Sequence, residues 1–181
     1  MDQVVAVRRV NDRIMKIKLV LEGLTINIVS AYAPQAGLAE EDKRHFWEEL
    51  DKVVRSIPQT EKLVIGGYFN GHIGSTSGGY GDVHGGFSFG DRNEGGVSLL
   101  DFANAFELVI ANSSFRKREG HLVTHRSAVA KTQIDYLLLR KGDKGVCKDC
   151  KVILSQNLTS QHKLVVMDLE IKIKKKKRVA Y

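Results

Sequence analysis

Residues 62–74 read KLVIGGYFNGHIG, an apolar run cut short by paired glycines. Leu63-Val64-Ile65 suits a short buried strand. Gly66, Gly67, Gly71 and Gly74 let the following chain turn tightly and let another group come close. In α/β proteins such a strand end is where chemistry is placed. Asn70 and His72 stand in that turn. So does a bulky Tyr68, which a tight turn does not require.

The flanking segments fill in the architecture. RIMKIKLVLEGLTINIVSAYAP reads as a hairpin: Met15, Ile17 and Leu19 alternate with Lys16 and Lys18, as on a strand with one wet face. Glu22-Gly23 supplies its turn, Leu24, Ile26 and Ile28 continue it, and Pro34 ends the pairing. Between 38 and 58 the spacing predicts a helix with Phe46, Leu50, Val53, Val54 and Ile57 on one face and Pro58 as its stop. A long glycine-rich connection spans 74–96, and a second helix is expected at 95–106. Strands are expected at 107–111, 121–126, 132–139, 151–154 and 163–171. Strands with interspersed helices, mostly strands late, imply an α/β sandwich of two packed sheets with helices outside.

At 181 residues and 43% hydrophobic, the chain has the size of one domain and material for a core. No apolar run is long enough to cross a bilayer, and MDQVVAVRRV carries no secretory pattern. Cys147 and Cys150 form a lone C-x-x-C, too few ligands for a structural zinc site, and read as reduced thiols. An intracellular setting, nuclear or cytoplasmic, follows from these signs. The net charge of +7 favours a polyanionic partner. Part of it is a tail at 172–178 that includes Lys174, Lys175, Lys176, Lys177 and Arg178, read either as a solvated run or as a phosphate-binding or nuclear-targeting one.

Polar groups recur at strand ends. Tyr32 lies in SAYAP, Asn70 in GGYFNGH, Asp135 in KTQIDYLLLRK, and His162 in SQHKLVVMDLEI, just before the last strand. Each alone has a dull explanation; together they suggest a site. An aspartate bonded to an imidazole fixes its tautomer and steadies its charged form. An asparagine amide can serve a phosphate oxygen and a water at once, and a phenol can donate to a phosphate. The chemistry these groups suit is attack on a phosphodiester, but a carboxylate cluster for Mg²⁺ is missing.

Taken in order, SAYAP, GGYFNGHIG, NEGGVSLLDFANAFELVIANSSF, HLVTHRS…KTQIDYLLLRK and SQHKLVVMDLEI resemble successive motifs of the endonuclease/exonuclease/phosphatase (DNase I-like) superfamily, from about residue 5 to 171. The resemblance narrows to the endonuclease domain of RTE-type non-LTR retrotransposons and its host-encoded, craniofacial development protein 2-like relatives. It implies a four-layer α/β sandwich, a Mg²⁺ or Mn²⁺ ion, no small-molecule cofactor, and DNA as substrate. It assigns phosphate orientation to Tyr32, water and phosphate positioning to Asn70, and the catalytic histidine and its aspartate to His162 and Asp135.

The departures are specific. The family's G-D-F-N is Gly67-Tyr68-Phe69-Asn70 here, so Tyr68 stands where the resemblance puts a catalytic aspartate. Its S-D-H is Ser160-Gln161-His162, and the tryptophan of T-W-x-S is His125. The family's opening strand with an Asn, and a later segment with a metal-binding Glu, are expected to precede Met15 and have no counterpart. The resemblance therefore implies residues 1–171 as an N-terminally truncated domain lacking its first strands, followed by the tail at 172–181. Two functions stay open: a degenerate or weakly active metal-dependent DNA endonuclease of retrotransposon origin, and a catalytically dead nucleic-acid-binding or interaction module. A lipid or small-phosphate phosphatase ranks behind both, because no membrane-binding helix is evident. Uncovered strand edges make self-association an expectation.

Overall fold

The computed structural model describes residues 3–171; the basic run at 174–178 lies outside the described residues. The elements run β1 (Gln3–Arg9), β2 (Ile14–Leu21), β3 (Leu24–Tyr32), α1 (Glu40–Arg55), β4 (Lys62–Tyr68), α2 (Glu94–Ala105), β5 (Leu108–Ile110), β6 (His125–Arg126), β7 (Lys131–Thr132), β8 (Asp135–Arg140), β9 (Cys147–Asn157) and β10 (Lys163–Leu169). The main sheet has six strands in the order β1-β2-β3-β4-β8-β5, while β9 with β10 and β6 with β7 form two-stranded sheets. Only the β3–β4 pairing within the main sheet is parallel, because α1 carries the chain back across the sheet between them.

Local chemistry explains the joints. Glu22 and Gly23 both have positive φ, 44° and 86°, the two-residue turn whose twist matches a hairpin. Helix α1 begins with Glu40, Glu41 and Asp42 and ends with Lys52 and Arg55, so its charges oppose its dipole. Its buried Phe46, Leu50, Val53 and Val54 pack with Leu99, Leu100 and Phe102 of α2 on Val29, Ala31, Leu63, Ile65 and Leu138 of the sheet. The other face carries Val109 and Leu139, covered by Cys147 and Cys150 of β9 and by Val165, Met167 and Leu169 of β10. Both thiols are free and buried, and burial pushes that of Cys150 up to about 12.

Some expectations need correction. Strand β1 was not foreseen. Lys16 and Lys18 do not form a wet face: they stand opposite the buried Val29 and Asn27, on the core side with Ile14, and Lys18 is half-buried against Glu61 at 2.9 Å. Of the strand expected at 121–126 only His125–Arg126 is extended and paired, as β6; His121 closes a 3-10 turn at Glu119–His121, and 122–124 form no regular element. The strand expected at 132–139 is two pieces, β7 and β8, because Ile134 and Asp135 turn their backbone N–H groups to Thr124 Oγ1 between them.

The glycine-rich connection is pinned along its length. Arg92 donates to the carbonyls of Ile73, Thr76, Ser77 and Gly78 at 2.8–3.1 Å. The ring of His84, only 1% exposed, bonds Gly74 O through Nε2 at 2.8 Å and accepts from Gly86 N at Nδ1 at 2.9 Å. The start of α2 is seated on the turn after β4: a Cβ on Gly96 would lie 1.7 Å from His72 O, so the two backbones meet where no side chain fits. Asn93 caps α2 by accepting from Gly96 N and also holds His72 N, both at 2.9 Å.

Candidate active site

Three strands place one residue each in a single row. Tyr32 of β3 stands opposite Tyr68 of β4, and Tyr68 opposite Asp135 of β8. Residues directly opposite one another project from the same sheet face, so the three side chains stand side by side. Asp135 opens β8. Its N–H donates to Thr124 Oγ1 at 3.1 Å, and its carbonyl accepts from Asn112 Nδ2 at 3.1 Å.

His162 reaches the row from the turn before β10. Its Nδ1 lies 3.1 Å from Asp135 Oδ2. That turn is clamped by Thr159 Oγ1, which accepts from His162 N at 3.1 Å, and by Thr124 O, which accepts from Lys163 N at 2.8 Å. Thr124 thus fixes both halves of the pair, its hydroxyl holding Asp135 and its carbonyl holding the segment that carries His162.

Burial raises the Asp135 carboxyl above its ordinary value, and the Thr124 and His162 hydrogen bonds offset only part of that. Burial, and then the neighbouring Tyr32 and Asp135, raise the Tyr68 phenol. Tyr68 is therefore a neutral group at pH 7 where the resemblance puts a carboxylate.

The rings are contiguous. Tyr32 and Tyr68 stack with centroids 5.4 Å apart and planes 24° apart. Tyr68 meets His162 edge-on at 5.1 Å, and His162 meets His125 at 4.9 Å. The Arg13 guanidinium lies 5.3 Å over the Tyr32 ring. An open groove of about 380 Å³ is lined by Tyr32, Tyr68, Asp135, His162, His125 and Gln161, with Gln35, Leu158 and Thr159 at its edges.

Of the residues singled out from sequence, Tyr32, Tyr68, Asp135, Gln161 and His162 meet at this groove. Asn70 does not line it. At φ 52° it sends Nδ2 to Ala33 O at 2.7 Å and borders a second groove of about 460 Å³ with Trp47, Phe69, Lys43 and Arg44. Segment 32–36 is the partition, with Tyr32 and Gln35 lining the first groove and Ala33, Pro34 and Ala36 the second. Sequence reasoning missed Arg13, Thr124 and Asn112; a lone arginine after a turn and two small polar residues carry no pattern that marks them.

No protein-family model matches the chain. Among solved structures it resembles a 3'-5' exonuclease from Neisseria meningitidis, with a TM-score of 0.63 and 14% identity over 94% of this chain and 71% of the other. It also resembles the endonuclease domain of TRAS1, a telomere-specific non-LTR retrotransposon, with a TM-score of 0.61 and 14% identity over 87% of this chain and 61% of the other. The fold is DNase I-like. The Neisseria enzyme has also been solved as a 3' phosphatase bound to a product DNA hairpin, and that structure matches with a TM-score of 0.63 and 13% identity over 94% of this chain and 70% of the other. In sequence, the chain is 28% identical over 166 residues to craniofacial development protein 2 of Tragulus javanicus, and 27% identical over 166 residues to that of Bos taurus. Those stretches are 91% of this chain but 29% and 28% of the relatives, so it spans less than a third of their length.

The divalent ion implied by the DNase I-like resemblance does not fit the donors present. Mg²⁺ is held by carboxylate oxygens. The groove offers a single carboxylate, that of Asp135, and its Oδ2 is engaged by His162. The neighbours of Asp135 in the row are phenols, and Gln161 supplies an amide. Among the described residues, no three His, Cys, Asp or Glu side chains gather to hold a metal.

Proposed function

We propose that this chain is a degenerate DNA endonuclease domain of retrotransposon origin that binds nucleic acid and hydrolyses phosphodiesters poorly or not at all. The observation that carries this reading is the row Tyr32–Tyr68–Asp135, in which a stacked phenol stands where the resemblance puts an acidic group. Asp135 and His162 keep the geometry of an oriented general base, and Tyr32 remains exposed to donate to a phosphate. Losing a single acid–base group slows such a reaction by roughly 10²–10⁴, and losing the metal donors slows it further.

DNA as partner is supported by the product DNA hairpin bound to the Neisseria 3' phosphatase, by the +7 charge, and by Arg13 over the Tyr32 ring, which makes no ion pair among the described residues. The basic residues at 174–178 are part of this reading as further phosphate contacts. Self-pairing through the outer edge of β10 belongs to it as well.

The test is nicking of supercoiled plasmid in Mg²⁺ or Mn²⁺, with DNA binding followed by fluorescence anisotropy across a salt series. Negligible nicking with binding that weakens steeply in salt is expected. Robust metal-dependent nicking that disappears in His162→Ala contradicts the loss of hydrolysis, and absence of binding at low salt contradicts the nucleic-acid role. A wholly inactive interaction module is the second reading; it is favoured if Tyr68→Asp restores no nicking.

A further inference from the structure

The ring ladder has a use that phosphodiester hydrolysis does not need. Five groups follow one another along the groove: the Arg13 guanidinium, Tyr32, Tyr68, His162 and His125, with neighbouring centres 4.9–5.4 Å apart. A nuclease row with an aspartate between a tyrosine and a histidine would be broken at that point by a charged, strongly hydrated group. Tyr68 closes the gap with a neutral ring.

The outermost ring on the Arg13 side is Tyr32, 45% exposed. The Arg13 guanidinium covers its outer face, 5.3 Å from the centroid, and also donates to Tyr32 O at 3.4 Å, so that face attracts a planar, electron-poor group and is reached by moving one side chain. The one carboxylate on the groove is engaged with His162, so little negative charge faces an incoming phosphate. Aromatic faces beside unpaired arginines are how proteins hold single strands without reading their sequence. A duplex cannot use them, because its bases hide their faces against one another, whereas an unpaired base can splay out and stack.

From this geometry we propose that the groove binds single-stranded nucleic acid in preference to duplex, an unpaired base extending the Tyr32–Tyr68 stack and displacing the Arg13 guanidinium onto a phosphate. This rests on the nucleic-acid reading above and narrows its substrate class. The base joins the stack on the outer face of Tyr32. Tyr68 backs Tyr32 and holds its ring in place. Arg13, freed from the ring, gains the backbone charge. The binding is sequence-tolerant, because every base has a π face.

The experiment compares a fluorescein-labelled dodecamer of thymidylate with a blunt hairpin duplex of equal charge, by anisotropy at fixed low salt. The wild-type chain is expected to bind the single strand more tightly than the duplex. The ratio of the two affinities is expected to fall about tenfold or more in Tyr32→Leu and in Tyr68→Leu, the loss of one base–aromatic stack. In Tyr32→Phe and Tyr68→Phe, which keep the rings, the ratio is expected to stay. Circular dichroism melts confirm that each variant is folded, and the Phe variants carry the test if a Leu variant is not.

If the wild type binds duplex at least as tightly as single strand, or if the ratio survives both ring deletions, the single-strand proposal is overturned while the nucleic-acid reading stands. If the ratio collapses in the Phe variants, hydroxyl bonding rather than stacking is at work, and the proposal again fails. If neither nucleic acid binds, the reading beneath it fails too.

Discussion

Asp135 carries the burden of its position. A carboxyl whose value is raised by burial is held in an environment that disfavours its charge. The folded chain then binds that proton more tightly than the unfolded chain does. The cost is absent below the unfolded value, near 3.9, and grows as pH rises through the higher folded one. Asp135→Asn keeps an oxygen to accept from His162 Nδ1 and removes the charge. It is therefore expected to melt no lower than wild type at pH 7, with the difference shrinking toward pH 4; calorimetry across that range checks it, and a variant less stable at neutral pH contradicts it. The aspartate and histidine were legible in the sequence, as motif residues in order. Thr124, which positions both, was not, because its role arises from a fold contact between β8 and the turn before β10.

The long connection between β4 and α2 shows how a glycine-rich segment can be ordered. His84 is buried with both ring nitrogens engaged, which places its proton on Nε2, donating to Gly74 O, and leaves Nδ1 to accept from Gly86 N. Burial, with a smaller push from Arg92, lowers its pKa below 6.5. As pH falls through 6.5, unfolded chains take up a proton that the folded chain refuses, so stability present above that pH is lost progressively below it. Melting between pH 7.5 and 5.5 is expected to show a downward slope that flattens in His84→Asn, with a cost of about 1–3 kcal/mol at pH 7.5 for the lost buried hydrogen bonds; a slope unchanged in the variant contradicts the assignment. Helix α1 and the β2–β3 hairpin were readable from periodicity and from Glu22-Gly23, since local chemistry decides both. The strand expected at 121–126 was not, because its apolar residues, Leu122 and Val123, are buried in an irregular segment after a 3-10 turn, and a short apolar run looks the same in either setting.

For the molecule as a whole, one face of the main sheet is covered by helices and part of the other by β9–β10, and β10 pairs with β9 alone among the described residues. Its sequence KLVVMDL has no proline and one interior charge, Asp168, so its outer edge lacks the devices that keep strands from pairing with one another. Met15 and Val7, both exposed, add apolar surface on β2 and β1. Concentration-dependent self-association is expected by multi-angle light scattering, and Val166→Lys is expected to shift it toward monomer; a monodisperse monomer at high concentration contradicts it. Among the described residues no helix is long and apolar enough to cross a membrane. The fold class was legible because five motifs fell in order, whereas the splitting of the site into two grooves by segment 32–36 was not, since it depends on which way each side chain of that segment faces. The proposed function requires a groove that binds nucleic acid without holding a divalent ion. Its most direct test is Mn²⁺ titration of histidine-labelled protein, watched through the ring NMR signals of His125 and His162. The expected result is sharp signals at one equivalent of Mn²⁺ and shifted ones on adding DNA; selective broadening of these two rings by stoichiometric Mn²⁺ would contradict it.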